Sequence, residues 1–131
     1  MLSKSYVLTA VALLEQGDML GYLEQYVAED VIWTITGTNV LSGTYRSRQE
    51  FIDQAIARLN QSLDGGIQMD IHNVYVDGDT AILEMTSIAQ AKKGHPYHNE
   101  YIWIQRFYEG KVIEARVYYD DVLVNNTMLD K

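Results

Sequence analysis

Hydrophobic positions along this chain change their period near its middle. In the first half they recur at helical spacing: Val7, Ala10, Val11 and Leu14 share one face, and after Gly17-Asp18 a second set follows at Leu20, Leu23 and Val27. The glycine offers a helix stop and the aspartate an N-cap, so two short helices open the chain. Val31 to Thr36 is rich in β-branched and aromatic side chains and is broken by Gly37-Thr38-Asn39, which predicts a strand and then a turn. A third helix starts at Ser47, paired with Glu50 as a capping box. It buries Ile52, Ala55, Ile56, Leu59 and Leu63 before Gly65-Gly66 ends it.

Beyond Gly66 the period becomes two, in strand-like stretches near 67–76, 80–91, 97–108 and 111–124. The connections Asp77-Gly78-Asp79, Lys92 to Pro96 and Glu109-Gly110 are short and turn-like, so neighbouring strands are expected to pair antiparallel as a meander. Helices first and sheet afterwards is an α+β order. No repeat or linker interrupts the pattern, and 131 residues suit one domain, taken as 1–131.

Composition narrows the partners. A net charge of −8, with ten Lys and Arg scattered rather than striped, argues against nucleic acid. No run of 18 apolar residues suggests a membrane span. The opening Met1 to Tyr6 lacks a basic region followed by a long apolar run, so a cytoplasmic location is expected. The absence of cysteine removes disulfides, thiol nucleophiles and zinc-thiolate sites together.

The segment Tyr97 to Phe107 carries the most chemistry. Alternation puts Tyr97, Asn99, Tyr101, Trp103, Gln105 and Phe107 on one face, and His98, Glu100, Ile102, Ile104 and Arg106 on the other. Tyr, Trp, Asn and Gln each bring a polar group that needs a partner when buried. A ligand cavity would supply such partners, and so would an ordinary core with satisfied hydroxyls; spacing alone leaves both open.

Two further stretches bear on that choice. Glu29 to Gly37, followed by Leu41-Ser42-Gly43-Thr44-Tyr45-Arg46, resembles the opening of SnoaL-like polyketide cyclases of the nuclear transport factor 2 superfamily. Gly94 to Trp103, then Gly110 to Asp120, resembles that family's last hairpin. The resemblance implies a cone-shaped, half-open barrel: a curved, mainly antiparallel sheet packed on three N-terminal helices around a deep pocket, commonly in a homodimer. It implies a fold and a pocket more firmly than a reaction. Ketosteroid isomerases of the superfamily use an Asp base and an oxyanion hole of a Tyr and a protonated Asp. Aligned by the landmarks Gly17-Asp18, Glu29-Asp30 and Arg106-Phe107, those positions hold Ile35 for the base, Ala10 for the tyrosine and Trp103 for the acid. Isomerisation by that mechanism is therefore not expected. Many relatives carry an acid where Val117 stands here.

The remaining candidates for catalysis are Asp120, Glu84 and Tyr101. Alternation sets Asp120 with Glu114, Arg116 and Tyr118, which favours a partner for Arg116 or a rim position over a base. Glu84 interrupts an apolar strand, and an outward glutamate on the wet side of the sheet outweighs a buried proton shuttle. His95 and His98 lie three apart, which in an extended segment means opposite faces, and no acid completes a shell, so no metal is expected. No serine sits in a nucleophile-elbow motif.

Together these readings describe a small-molecule pocket protein without a cofactor, its ligand-binding residues being Trp33, Ile35, Tyr97, Asn99, Tyr101, Trp103 and Tyr119. The expected partner is a small apolar molecule with a carbonyl or hydroxyl. The activity would be that of a cofactor-independent isomerase or cyclase on a ketone- or polyketide-like substrate. The alternative is a non-catalytic ligand-binding or dimerisation module; Ile102 and Ile104, opposite the pocket face, are the apolar positions for a homodimer. A protein-docking role would show as a large exposed apolar patch on the sheet.

Overall fold

The computed structural model describes residues 2–129. Helix α1 (Lys4–Glu15) is capped by Ser3, whose Oγ accepts from the Tyr6 amide, and it buries Val7, Ala10, Val11 and Leu14. Asp18 caps α2 (Met19–Tyr26) through the Gly21 amide. The expected stripe of α2 is only partly realised: Leu23 is buried, Leu20 faces solvent, and Val27 already belongs to the next strand.

A six-stranded sheet follows, in the order β2-β1-β6-β5-β4-β3. Its members are β1 (Val27–Ile35), β2 (Gly43–Tyr45), β3 (Gln68–Asp77), β4 (Thr80–Ile88), β5 (Glu100–Tyr108) and β6 (Lys111–Tyr118). The last four form the expected antiparallel meander. The local pattern did not foretell that β1 runs parallel to β6, pairing Trp33 with Ala115 and Ile35 with Val117. Register breaks in β3 and at Arg106/Phe107 bend the sheet into an open, cone-like half-barrel.

The third helical segment is three pieces in one run: α3 (Arg48–Phe51), a π-helical turn (Ile52–Ile56) and α4 (Ala57–Asn60). Ser47 Oγ accepts from the Glu50 amide as expected, but the Glu50 carboxylate reaches back to the Arg46 amide, 2.6 Å away, one residue beyond the usual capping-box target.

The clearest departure lies at the C-terminal end. Alternation extends the last strand to residue 124, whereas β6 stops at Tyr118 and residues Asp121–Met128 form helix α5. The apolar run Val122-Leu123-Val124 is overruled by a cap: Asp120 Oδ1 accepts from the amides of Val122 and Leu123 at 3.0 and 3.2 Å. The buried Asn99 side chain fixes that turn, accepting from the Asp120 amide at 2.9 Å and donating to its carbonyl at 3.2 Å. Strand-like stretches 80–91 and 97–108 shorten for a related reason. Their facing ends become an irregular hairpin held by Tyr97 N donating to Ala89 O and by bridges from Ala91 to Leu63 and from Gln90 to Pro96.

Candidate functional site

The concave face of the sheet and the α3–α4 run line a narrow, half-open cavity. The sheet contributes Ile35, Tyr101, Trp103 and Val117, with Tyr119 just beyond β6. The helical run contributes Phe51, Ala55, Ile56 and Leu59; the π turn shifts the helical register here, as such turns often do beside functional sites. Met19, Ile67 and Met69 close one side, and Leu41 another.

About 40 Å³ is open to the centre of a water-sized sphere. By that measure roughly 10–15 Å³ holds one water, so the void has room for a few, yet its wall is almost wholly apolar and gives them little to bond. Met19, Ile56, Leu59 and Ile67 also line a surface groove bounded by Gly17, Asp18 and Asn60, so they form a partition between the cavity and solvent.

The polar side chains of the wall are two tyrosines and an indole, and almost none of their polar surface opens into the void. The Tyr101 hydroxyl lies 2.8 Å from that of Tyr97, which also accepts from Asn99 Nδ2 at 3.2 Å. The Tyr119 hydroxyl donates to Asn39 Oδ1 at 3.1 Å, and its ring meets Tyr101 edge to face at 5.3 Å. Burial raises the pKa of Tyr97, Tyr101 and Tyr119 above the ordinary 10.0; for Tyr101 and Tyr119 the neighbouring Tyr97 adds to the rise. These hydroxyls stay protonated at neutral pH and serve as hydrogen-bonding groups rather than bases. Trp103 Nε1 has no hydrogen-bond partner among the described residues, nor do Trp33 Nε1 and Gln105 Nε2.

Of the seven ligand-binding residues read from the sequence, Ile35, Tyr101, Trp103 and Tyr119 line the cavity. Trp33, Tyr97 and Asn99 are buried behind it. Trp33 stacks on Phe51 at 4.2 Å and meets Trp103 edge to face at 5.1 Å. Tyr97 supports Tyr101, and Asn99 holds the β6–α5 turn. The acids face elsewhere. Glu84 accepts from Asn73 Nδ2 and Tyr75 Oη at 3.0 and 3.1 Å on the outer face of the sheet, and the exposed Asp120 uses its carboxylate as the α5 cap. His72 and His95 bond to Thr86 and Thr127 respectively. Phe51 escaped the sequence reading although it stands four and eight residues before Ala55 and Leu59 on one helical face. Leu41 had no such signal; it reaches the wall because Asp121 bonds the loop at the Thr38 amide and Asn39 Nδ2, packed against Gly37 at φ 84° where a side chain would collide with it.

This open half-barrel is the fold of nuclear transport factor 2-like proteins. Residues 7–115 match the SnoaL-like domain, and the chain belongs to that family. The dimerizing cyclase phiC of a fungal species is 28% identical over 110 residues, 81% of this chain and 49% of the relative. The chain thus spans about half the length of that curated relative. Among solved structures, TerC co-crystallised with polyporic acid superposes with a TM-score of 0.75 at 19% identity, over 95% of both chains. A Mesorhizobium loti protein assigned to the SnoaL-like polyketide cyclases gives 0.74 at 20% identity, over 91% of this chain and all of that one. A protein of unknown function with a cystatin-like fold from Xanthomonas campestris gives 0.81 at 19%, over 99% and 100%. At these identities the structural likeness establishes the fold alone. Among the described residues no helix is long and apolar enough to cross a membrane.

Proposed function

We propose that this domain is a cyclase-like pocket protein: it takes a small, largely apolar ketone- or polyketide-like molecule into the cavity, without a cofactor, and holds it for ring closure or isomerisation. The observation that carries this reading is the cavity itself, an apolar space in the concave face whose polar groups are neutral and buried. Val, Ile and Leu would fill such a space at lower cost than Tyr101, Trp103 and Tyr119, which bring polar atoms with them. Family membership and the cyclase names among its relatives support the same reading.

Any chemistry here falls to hydroxyl and indole groups, since neither Glu84 nor Asp120 lines the cavity. The tyrosines would orient a carbonyl and favour one folded conformation of a reactive chain, acting by proximity rather than by a dedicated base. The outward placement of both acids favours a second reading, a non-catalytic ligand-binding module that keeps the same pocket.

The protein would work in the cytoplasm as a homodimer through the outer sheet face. There Tyr75, Ile88, Ile102 and Tyr118 are exposed, and an open groove of about 460 Å³ runs past His72, Glu84 and Glu100. The test is native mass spectrometry with ligand extraction on protein from its own host, comparing wild type with Ala55→Leu, which fills the cavity. A neutral small molecule carried by the wild-type dimer and lost from the variant is the expected result. Empty protein in both would remove the pocket reading. Conversion of the extracted molecule on return to fresh protein separates enzyme from binder.

A further inference from the structure

The outer face of the sheet gathers its charges at two ends. Strand pairing sets Glu84 beside Ile102 and Ile102 beside Tyr118 in one row, and Tyr75, Ile82, Ile104 and Arg116 side by side in the next. Along β5, Glu100 lies beyond the first of these rows and Arg106 beyond the second. Asp70, aligned with Thr86 and through it with Glu100, adds to the acidic end. Glu114 and, at the β3 edge, Asp77 offset part of the other end, yet the acidic end has no Lys or Arg while the other holds both arginines of β3 to β6. Between the ends runs a band of isoleucine and tyrosine. Arg106 is held by Glu114 at 3.1 Å, but among the described residues neither Glu100 nor Arg116 has an ion pair; Arg116 Nε donates to the Tyr118 hydroxyl at 3.2 Å.

The apolar band is wet in the single chain, where Tyr75, Ile102 and Tyr118 are exposed. Strands β1 and β3 to β6, eight to ten residues long and spaced about 4.8 Å apart, make a face of roughly 600 Å². Two copies stacked there bury roughly 1,200 Å², the lower bound of a stable interface. Two identical faces stacked on each other are related by a two-fold axis lying in the plane between them. An axis along the strands lays acidic end on acidic end. An axis across the strands turns the partner end for end, which lays acids over arginines and the apolar band over itself.

We infer that this face binds a second copy of the chain in antiparallel register. The two-fold axis crosses the strands between Ile102 and Ile104, and Glu84 and Glu100 face the end that carries Arg106 and Arg116 of the partner subunit. The inference rests on the homodimer reading above and adds its register, which like-charge repulsion selects over the stacking of acid on acid.

Two double variants test the register. Glu84→Lys with Glu100→Lys makes both ends basic, and Arg106→Glu with Arg116→Glu makes both acidic. Alone, each should dimerise at least about tenfold more weakly than wild type, the loss expected when close charge pairs across an interface become repulsive. Mixed in equal amounts, they should form a dimer with the mass of one chain of each in native mass spectrometry, because each supplies the end that the other lacks. That mixed dimer also shows that both variants fold. A measurement on wild type alone needs no variant: its dissociation constant should rise with added salt, which screens the paired ends. If Ile102→Asp splits the wild-type dimer while both charge variants dimerise as tightly as wild type, or their mixture gives no mixed dimer and salt leaves the wild-type dimer unchanged, the register is overturned and the dimer face stands. If wild type is a monomer, or its dimer survives Ile102→Asp, the homodimer reading at this face fails and takes the register with it.

Discussion

The two faces of strand β5 follow opposite rules. Inward, Tyr101, Trp103, Gln105 and Phe107 are all buried and none is charged. Outward, Ile102 is 40% and Tyr108 63% exposed, and Arg106 pairs with Glu114 at 3.1 Å. One strand thus confines its charges to the wet side and leaves neutral, donor-rich aromatics inside, where every polar atom must find a partner or go without. The inner face should respond strongly to substitution and to alkali, and the outer face weakly.

The largest effect is expected from pH. Burial raises the pKa of Tyr22, Tyr97 and Tyr101 in the folded protein, so the unfolded chain loses their protons first. Their contribution is complete below about pH 10 and falls as pH rises above it, by about 1.4 kcal/mol per pH unit for each tyrosine until its folded pKa is reached. Urea midpoints at pH 8 and pH 11 measure this, and Tyr101→Phe should make the fall shallower by one tyrosine's share. An equal fall in both proteins would place Tyr101 in water.

Trp103→Ala should cost about 3–5 kcal/mol in urea unfolding, because the indole packs against Trp33 and Tyr22 and its loss leaves a void. Asn99→Ala comes next, at about 2 kcal/mol: it leaves the Asp120 amide and carbonyl without their side-chain partners, and should loosen α5 in hydrogen exchange. Asp120→Ala removes only the α5 cap and should cost about 1 kcal/mol while sparing retention of the extracted molecule in native mass spectrometry; its loss would return Asp120 to the site. On the outer face, Arg106→Ala should change stability by no more than about 0.5 kcal/mol, since its ion pair is half-exposed. The proposed dimer should dissociate in Ile102→Asp, read as a fall in the mass in solution from two chains to one.

Much of this was legible in the pattern of residues. The helix caps at Asp18 and Ser47, the buried stripe of α1, the four-strand meander and the two faces of β5 all follow from spacing, because a period of 3.6 or 2 decides which side chains can share a side. The resemblance to SnoaL-like cyclases supplied the cone and the pocket. Less legible was the end of the chain. Val122, Leu123 and Val124 read as strand, and the helix there depends on Asn99, more than twenty residues earlier, gripping both backbone groups of Asp120.

The candidate site divides along the same line. Periodicity placed Tyr97, Asn99, Tyr101 and Trp103 together on an inward face, but depth within that face is not periodic. Curvature of the sheet set Tyr101 and Trp103 against the void and Tyr97 and Asn99 behind it. The sequence by itself determined the first helices, the four-strand meander and the buried faces of α1 and β5, since these depend on residue type and local spacing. Tertiary structure alone decided the parallel β1–β6 pairing, the α5 helix and the Leu41 loop. Each of those depends on contacts between residues far apart in the chain, where no local preference reaches.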